Sequence, residues 1–557
     1  MRFLSLATTL DAVSKTTKRK EKISLVARLL KEAELSEVCE AALFLAGRFF
    51  PENDQRTLNV SWSGLIGALH NVIDFRDDEF SKFYEGDTGE AIAALMESKA
   101  HTRQSVLFQE PLTVESVSDR FTKIALAAGK GSMKEKQSLI SALLGEAAPR
   151  EMRYIVALIL NDMRTGLSHG LLVECIAEAF SVDIEYVRRA WYFTGDLGGV
   201  AHLAAEYGNR GLKQVNIKPM TAVKPMLASP VSDLKSALEI GQGGELSFEM
   251  KFDGARVQIH KEGGNTRIFS RGLNDVTESL PDIVQEVNKR VRASRFILDG
   301  EVVAVDPTGK PYPFQVVMQR FGRTRDVETT NQEVKLLLYA FDILLLNGQM
   351  LIDEPYWKRR EQLESTLPDS MIAERVVTNR LRVAEDFFLR SKEIGHEGLV
   401  AKMVSSPYVP GVRGKHWLKI KHTLDTMDLV IIAAEWGHGR RSKWLSDYHL
   451  AVLDEETDKY TMVGKTFKGL TDVEFQAMTD RLQRIELSRS RGLVRVKPEI
   501  IVEVLAAEIQ ESPKYESGLA LRFARITGIR DDKKPEDATT LKELQATFDV
   551  QFRYKAR

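Results

Sequence analysis

Apolar residues recur at helical spacing through the first ~215 positions. Ile23, Val26, Leu29 and Leu30 form one stripe, and Met152, Ile155, Leu158 and Ile159 form another. Apolar side chains three and four positions apart line one face of an amphipathic helix, so this stretch is predicted to be all-α. Near Val215–Pro225 the period changes. Phe248-Glu249-Met250-Lys251-Phe252 and Ala255-Arg256-Val257-Gln258-Ile259-His260 alternate apolar with polar residues, and Asp253-Gly254 between them predicts a hairpin. Further strands are predicted at Phe296–Val305, Leu336–Leu345 and Leu399–Met403, with a helix at Leu280–Val291, which together make an α+β domain of mostly antiparallel sheets. From about Asp425, short strands are predicted at Leu429–Ala434, Tyr448–Leu453, Tyr460–Phe467 and Ile500–Ile509. One helix lies among them, opened by the capping box Thr471/Glu474 and faced by Phe475, Met478, Leu482 and Ile485. Short strands with one helix point to a small barrel of the OB type. The predicted boundaries are 1–215, 216–421 and 422–557.

The 557 residues suit about three or four domains. No apolar run approaches the ~20 residues of a bilayer span, and the apolar opening before Asp11 is too short for a signal peptide, so the expected address is the cytoplasm. Cys39 and Cys175, the only cysteines, cannot build a four-cysteine zinc site and are expected to be buried thiols. A net charge of −1 argues against coating nucleic acid by bulk charge and leaves local patches as the candidates. One patch is Lys15, Lys18, Arg19, Lys20 and Lys22 against Glu21. Another is Lys514, Arg522, Arg525, Arg530, Lys533 and Lys534 against Glu516, Asp531 and Asp532.

Candidate chemistry gathers on the strands of the middle region. Glu249 and Lys251 share a strand face, as do Asp299 and Glu301. Glu397 and Lys402 flank an apolar strand, Lys419 and Lys421 share a face with Trp417 and apolar residues expected opposite, and Phe341-Asp342 pairs an aromatic with an acid. Cations suit phosphate oxygens, carboxylates with water suit Mg²⁺, and an aromatic suits a base face. Crowding Lys251 with other cations would favour the neutral amine that a nucleophile needs.

Taken in order, these segments resemble the ATP-dependent DNA ligases of archaeal and eukaryotic type. Lys251-Phe252-Asp253-Gly254-Ala255-Arg256 is similar to that family's adenylation motif. Ser270-Arg271-Gly272, Leu298-Asp299-Gly300-Glu301, Phe341-Asp342, Glu397–Lys402 and Trp417–Lys421 follow in family order, and Arg522-Phe523-Ala524-Arg525 through Lys533 resembles the last motif. That last motif departs from the family pattern at Ala524, where Pro is usual, and at Gly528, where Arg is common. Lys15–Leu30 and Asp162–Gly170 resemble the helical DNA-binding domain.

The resemblance implies a DNA-binding domain, an adenylation domain and an OB-fold domain, with ATP and Mg²⁺ as cofactors and nicked duplex DNA as substrate. It implies that Lys251 becomes the AMP-carrying lysine, that Glu249 reads the adenine amine and that Phe341 stacks on the ring. Arg256 and Glu301 are expected near the ribose and Arg271 near phosphate. Lys402, Arg413, Lys419 and Lys421 are expected on the α-phosphate, Glu301 and Glu397 on the metal, and Arg530 and Lys533 on the leaving pyrophosphate after the OB domain turns about a hinge at Lys421–Asp428. In Tyr312-Pro313-Phe314-Gln315 the resemblance places Phe314 in the minor groove, followed by a thin basic stretch of Arg320, Arg323 and Arg325. Gln104–Phe108 is similar to a sliding-clamp-binding peptide. A nucleoid-associated monomer is expected. An RNA ligase or capping enzyme is disfavoured by the large helical region, an NAD-dependent ligase by the two cysteines, and a silent scaffold by the complete set of site residues.

Overall fold

The computed structural model describes residues 1–84, 87–99, 110–321, 334–421, 426–490 and 492–551. From Phe3 to Lys213 the described chain is helical. The two stripes read from the sequence lie on helices Arg19–Glu32 and Pro149–Leu160, and their apolar residues feed one core. Lys22 departs from the basic-patch reading: it is buried, and its ammonium donates to the carbonyls of Thr165 (2.9 Å) and Gly166 (3.3 Å). Arg19 is paired with Glu174. Helix Arg19–Glu32 turns these side chains toward its neighbours, so among the described residues the cations of the run without an ion pair are Lys15, Lys18 and Lys20. Both cysteines are unbridged, and burial pushes each thiol up to about 12.

Among the described residues the middle region contains ten strands: β1 (Leu227–Pro230), β2 (Leu246–Lys251), β3 (Ala255–Glu262), β4 (Asn265–Ser270), β5 (Arg295–Val305), β6 (Lys335–Leu346), β7 (Gln349–Met350), β8 (Arg375–Thr378), β9 (Gly398–Met403) and β10 (Arg413–Lys421). They form two sheets, ordered β1-β10-β9-β2-β8 and β4-β3-β5-β6-β7, antiparallel except for the β1–β10 pair. The predicted hairpin at Asp253-Gly254 is therefore corrected: β2 and β3 are not partners, and these residues carry the chain from one sheet to the other. Asp253-Gly254 bends the chain, but tertiary packing leads the two arms apart. A Cβ on Gly254 would lie 2.4 Å from the carbonyl oxygen of Val302 and 2.9 Å from Cγ of Glu301, so only glycine lets the crossing press against β5.

The last region contains β11 (Met427–Trp436), β12 (Leu445–Asp454), β13 (Lys459–Thr466), β14 (Glu486–Ser490), β15 (Leu493–Leu505), β16 (Glu508–Glu511), β17 (Leu519–Arg522) and β18 (Arg525–Ile529). Six of them make an antiparallel sheet, β13-β12-β11-β15-β14 with β18 on β15, and helix Asp472–Arg484 runs between β13 and β14, an arrangement consistent with an OB-fold. Thr471 and Glu474 cap that helix reciprocally as predicted, and the apolar face packs on the sheet. The strand expected at Ile500–Ile509 is two strands, β15 and β16, broken at Ala506-Ala507. Among the described residues no helix is long and apolar enough to cross a membrane.

Candidate active site

A cleft between the two middle sheets is lined by Glu249, Lys251, Arg256, Arg271, Glu301, Phe341, Lys402, Arg413 and Lys419, with Trp417, Leu227 and Ala228 among its walls. Nine side chains singled out from the sequence thus meet in one place. The alternation in β2 explains two of them: Phe248, Met250 and Phe252 join a core, leaving Glu249 and Lys251 on the other face. In β10, Leu418 and Ile420 enter that same core. Trp417 therefore shares the face of Lys419, which corrects its expected place opposite the lysines; the strand period of two puts i and i+2 together.

At one end of the cleft Lys251 Nζ lies 2.6 Å from Oε2 of Glu397, and Lys421 Nζ lies 2.7 Å from the same oxygen. Burial works against the Glu397 charge, but the two ammonium groups win and hold its carboxyl well below the usual range. Lys251 is thus not surrounded by cations alone. Glu397 stands where it does because β9 begins at Gly398, whose φ is +141° and whose Cβ, if present, would meet the carbonyl oxygen of Ile420 at 2.1 Å. Burial lowers the Lys419 pKa, as do the neighbouring cations Lys421, Lys251, Arg413 and Arg271. Such a crowd of positive charge is stabilised by an anion.

Glu301 is the opposite case. Burial raises its carboxyl to about 7, with Glu397 and Asp299 adding to the rise and Lys251 and Arg256 opposing it. In the unfolded chain a glutamate titrates near ~4.3, so the native state binds the extra proton between there and about 7. Stability from this group is complete below the lower value and is lost as pH rises through the upper one. Without nucleotide, the Glu301→Gln variant is expected to gain thermal stability relative to the wild type as pH rises from 5 to 7, while buried His260, its pKa lowered to about 3, adds an opposite slope common to both. Equal slopes in melting curves at several pH values would refute this.

Arg256 is fixed by Asp299, to which it donates at 3.0 and 2.7 Å, and by the carbonyl of Met226 at 2.6 Å. Tyr408 donates to the same Asp299 carboxylate at 2.6 Å. The guanidinium lies 5.4 Å from the centroid of the Phe341 ring and 5.7 Å from that of Trp417. Phe341 is aimed by a β-bulge. Asp342 pairs with Asp299 and Ala340 with Gly300, leaving Phe341 as the extra residue. Its carbonyl accepts from Lys402 at 2.9 Å.

Lys402 is not among the cations that act on Lys419. It is 1% exposed, 2.8 Å from Oε2 of Glu249 and over the rings of Phe341 and Trp417. Its pKa is lowered by burial, against the pull of Glu249 and Asp342. β9 thus carries it to the Glu249 end of the cleft. Glu249, 2% exposed, also accepts from the Tyr356 hydroxyl. Asp342 faces away from the cleft and pairs with Arg359.

Arg530 and Lys533 are not in the cleft. Both pair with Asp428, at 3.3 and 2.5 Å, and Arg530 also with Asp532. Phe314 opens helix Phe314–Phe321. The Gln104–Phe108 segment, Arg323, Arg325 and hinge residues 422–425 lie outside the described residues. Sequence reasoning missed Tyr356, Arg360 and Tyr408. Tyr408 follows a proline in a loop and carries no periodic signal, whereas Tyr356 and Arg360, four apart, share one helix face.

The comparisons agree with this geometry. Residues 2–177 match the family model of the DNA ligase N terminus, 225–421 that of the ATP dependent DNA ligase domain, and 441–533 that of the ATP dependent DNA ligase C terminal region. The chain is 40% identical to the DNA ligase of Thermococcus fumicolans over the whole of both chains. It is 41% identical to DNA ligase 1 of Korarchaeum cryptofilum, with 97% of each covered. The solved structure of Pmar-Lig_PreS3 shares the fold: it covers 94% of this chain and 99% of its own, with a TM-score of 0.57 at 14% identity. The chain belongs to the ATP-dependent DNA ligase family, enzymes that form phosphodiester bonds in DNA using ATP.

Proposed function

We propose that this chain seals nicks in duplex DNA through a lysyl-AMP on Lys251, in replication, repair and recombination. One observation carries the reading: a single cleft has an aromatic and acceptor end, Phe341, Trp417 and Glu249, and a cationic end around Lys251, the polarity of a nucleoside triphosphate. Phe341 stacks on adenine, Glu249 accepts from its amine, and Arg256 and Glu301 face the ribose. Arg271, Arg413, Lys419 and Lys421 stabilise the charge that develops on the α-phosphate. Lys402 orients Glu249 from behind the base.

The Lys251 amine, its protons passing to solvent, attacks the α-phosphorus; the P–N bond forms as the P–O bond to pyrophosphate breaks, and pyrophosphate leaves. Glu397, held ionised by two lysines, is a poor proton acceptor, and its part is to hold Nζ in place. The AMP then passes to the 5′-phosphate at the nick, which turns a poor electrophile into a good one. The 3′-hydroxyl attacks, the phosphodiester forms and AMP leaves. Among the described residues no three potential ligand side chains gather, so Mg²⁺ would rest on Glu301 and Glu397, with water and phosphate oxygens completing its shell. When bound it neutralises triphosphate charge.

The division 1–215, 216–421 and 422–557 is supported by the change from helices to two sheets and then to the six-stranded sheet. Arg530 and Lys533 reach pyrophosphate only after the last domain moves, and Phe314 enters the minor groove when DNA is bound. We place the enzyme in the cytoplasm at the nucleoid, as a monomer that encloses one duplex. Gln104–Phe108 is its proposed sliding-clamp contact, and replacing Leu107 and Phe108 by alanine should abolish co-elution with a clamp. The central test is incubation with α-³²P-ATP and Mg²⁺, after prior treatment with pyrophosphate to remove AMP. A labelled protein band that disappears on adding nicked duplex is expected; no band would overturn the reading.

A further inference from the structure

The Glu249 carboxylate is held by Tyr356, Arg360 and Lys402, of which only Lys402 lines the cleft. Tyr356 is fully buried, and its hydroxyl donates to Oε1 of Glu249 while Ser247 Oγ stands 3.4 Å from that hydroxyl. Lys402 takes the other oxygen at 2.8 Å. Arg360 Nη1 lies 3.8 Å from Oε1 and has no hydrogen-bond partner among the described residues. Every group holding Glu249 is therefore a donor.

The helix that carries Tyr356, Tyr356–Thr366, is pinned. The Tyr356 N–H donates to Ser406 O at 2.8 Å, Arg359 forks onto Asp342, and Arg360 donates to Ala373 O at 2.7 Å. The hydroxyl cannot drift without moving a helix. A carboxylate offers about four lone-pair directions. Two are taken, one on each oxygen, by Tyr356 and Lys402, which fixes the plane of the group and leaves the remaining acceptor positions for a ligand in the cleft.

We propose that Tyr356 is a positioning residue for nucleobase selection: by clamping Glu249 from behind, it makes that carboxylate a rigid acceptor that takes a purine bearing an exocyclic amine and rejects one bearing a keto oxygen. This rests on the reading of Glu249 as the base-facing group given above. A 6-oxo purine would turn a second acceptor toward a carboxylate that has no proton to give and cannot swing aside. Without the clamp the carboxylate can rotate, the amine loses its aligned acceptor, and the keto group loses part of its penalty.

The test compares the full-length wild type with Tyr356→Phe, which keeps the ring under Lys402. Both are stripped with pyrophosphate and then adenylylated with ATP or inosinylated with ITP. In Tyr356→Phe the ATP-over-ITP preference in kcat/KM should fall by about tenfold, on the scale of one charge-assisted hydrogen bond, with the loss in KM for ATP rather than in kcat. At saturating ATP the rate of lysyl-AMP formation should stay within about twofold of the wild type, since the Tyr356 hydroxyl bonds only to groups at the base end and Lys251 is untouched. An unchanged ATP-over-ITP ratio would overturn the proposal. So would a loss in kcat with KM for ATP unchanged, which would make Tyr356 a purely structural residue. If the wild type forms no covalent nucleotide at all, the failure belongs to the lysyl-AMP reading instead.

Discussion

Lys251→Ala is expected to abolish the covalent nucleotide band entirely while leaving the enzyme able to seal a nick that already carries AMP on its 5′-phosphate. The first half follows from chemistry: the bond to AMP is made to Nζ, and no other amine is in its place. Lys419 lines the same cleft and Lys421 meets the same Glu397, but each is set on β10 rather than at the end of β2. The second half follows from the surroundings. Removing Lys251 leaves Lys421 on Glu397, so that carboxylate keeps a partner and the site should hold its shape. Sealing of the pre-adenylylated nick should fall by no more than about tenfold, the worth of one charge-assisted contact to phosphate. Denaturing gels with labelled ATP and with labelled pre-adenylylated duplex separate the two reactions. A labelled band in the variant would place the nucleophile elsewhere.

The largest expected loss of stability lies outside the cleft, at Arg359. Its side chain is 0% exposed and forks onto Asp342 at 2.7 and 2.9 Å while donating to the carbonyls of Glu354 and Ser406. Arg359→Ala strands a buried carboxylate and two carbonyls, and the cost is expected to be about 3–5 kcal/mol. Replacing both partners, Arg359→Met with Asp342→Leu, should recover much of that, because no charge is then left alone. Arg189 and Asp353 form a fork of similar geometry on the surface, at 2.8 and 2.6 Å with both side chains over two-fifths exposed, so Arg189→Ala should cost only about 0–1 kcal/mol. Thermal unfolding of the three variants tests the ordering. An Arg359→Ala melting curve matching that of Arg189→Ala would refute it.

Much of the site was legible because its residues obey the strand period. Glu249 and Lys251 face one way and Phe248, Met250 and Phe252 the other, which alternation alone predicts. The same rule, applied to β10, places Trp417 beside Lys419. The order of motifs then tied distant strands into one site. What was hidden depends on three-dimensional relations that no local pattern encodes. Asp253-Gly254 has the chemistry of a hairpin, and only the pairing of β2 with β8 and β9 shows that the chain crosses between sheets. The bulge at Phe341 exists only in the register between β5 and β6. Lys402 sits in a phosphate-binding type of sequence, yet the direction of β9 delivers it to Glu249. Lys22 reads as one cation in a basic run and is a buried tie between a helix and a loop.

The crossing at Asp253-Gly254 also bears on how the protein is made. β2, with the nucleophile at its end, lies between β8 and β9, and β1 pairs with β10 nearly two hundred residues downstream. While the chain is still emerging from a ribosome, β2 has no neighbours in its sheet until residues 375–403 have been synthesised, and the cationic wall arrives only with β10. The second sheet, by contrast, closes from β3 to β7 by residue 350. A nascent chain therefore displays an unpaired, apolar-faced edge for more than a hundred codons, a span in which chaperone occupancy should be concentrated. A fragment ending short of Lys421 should be inert toward ATP, even though Lys251 is already present in it.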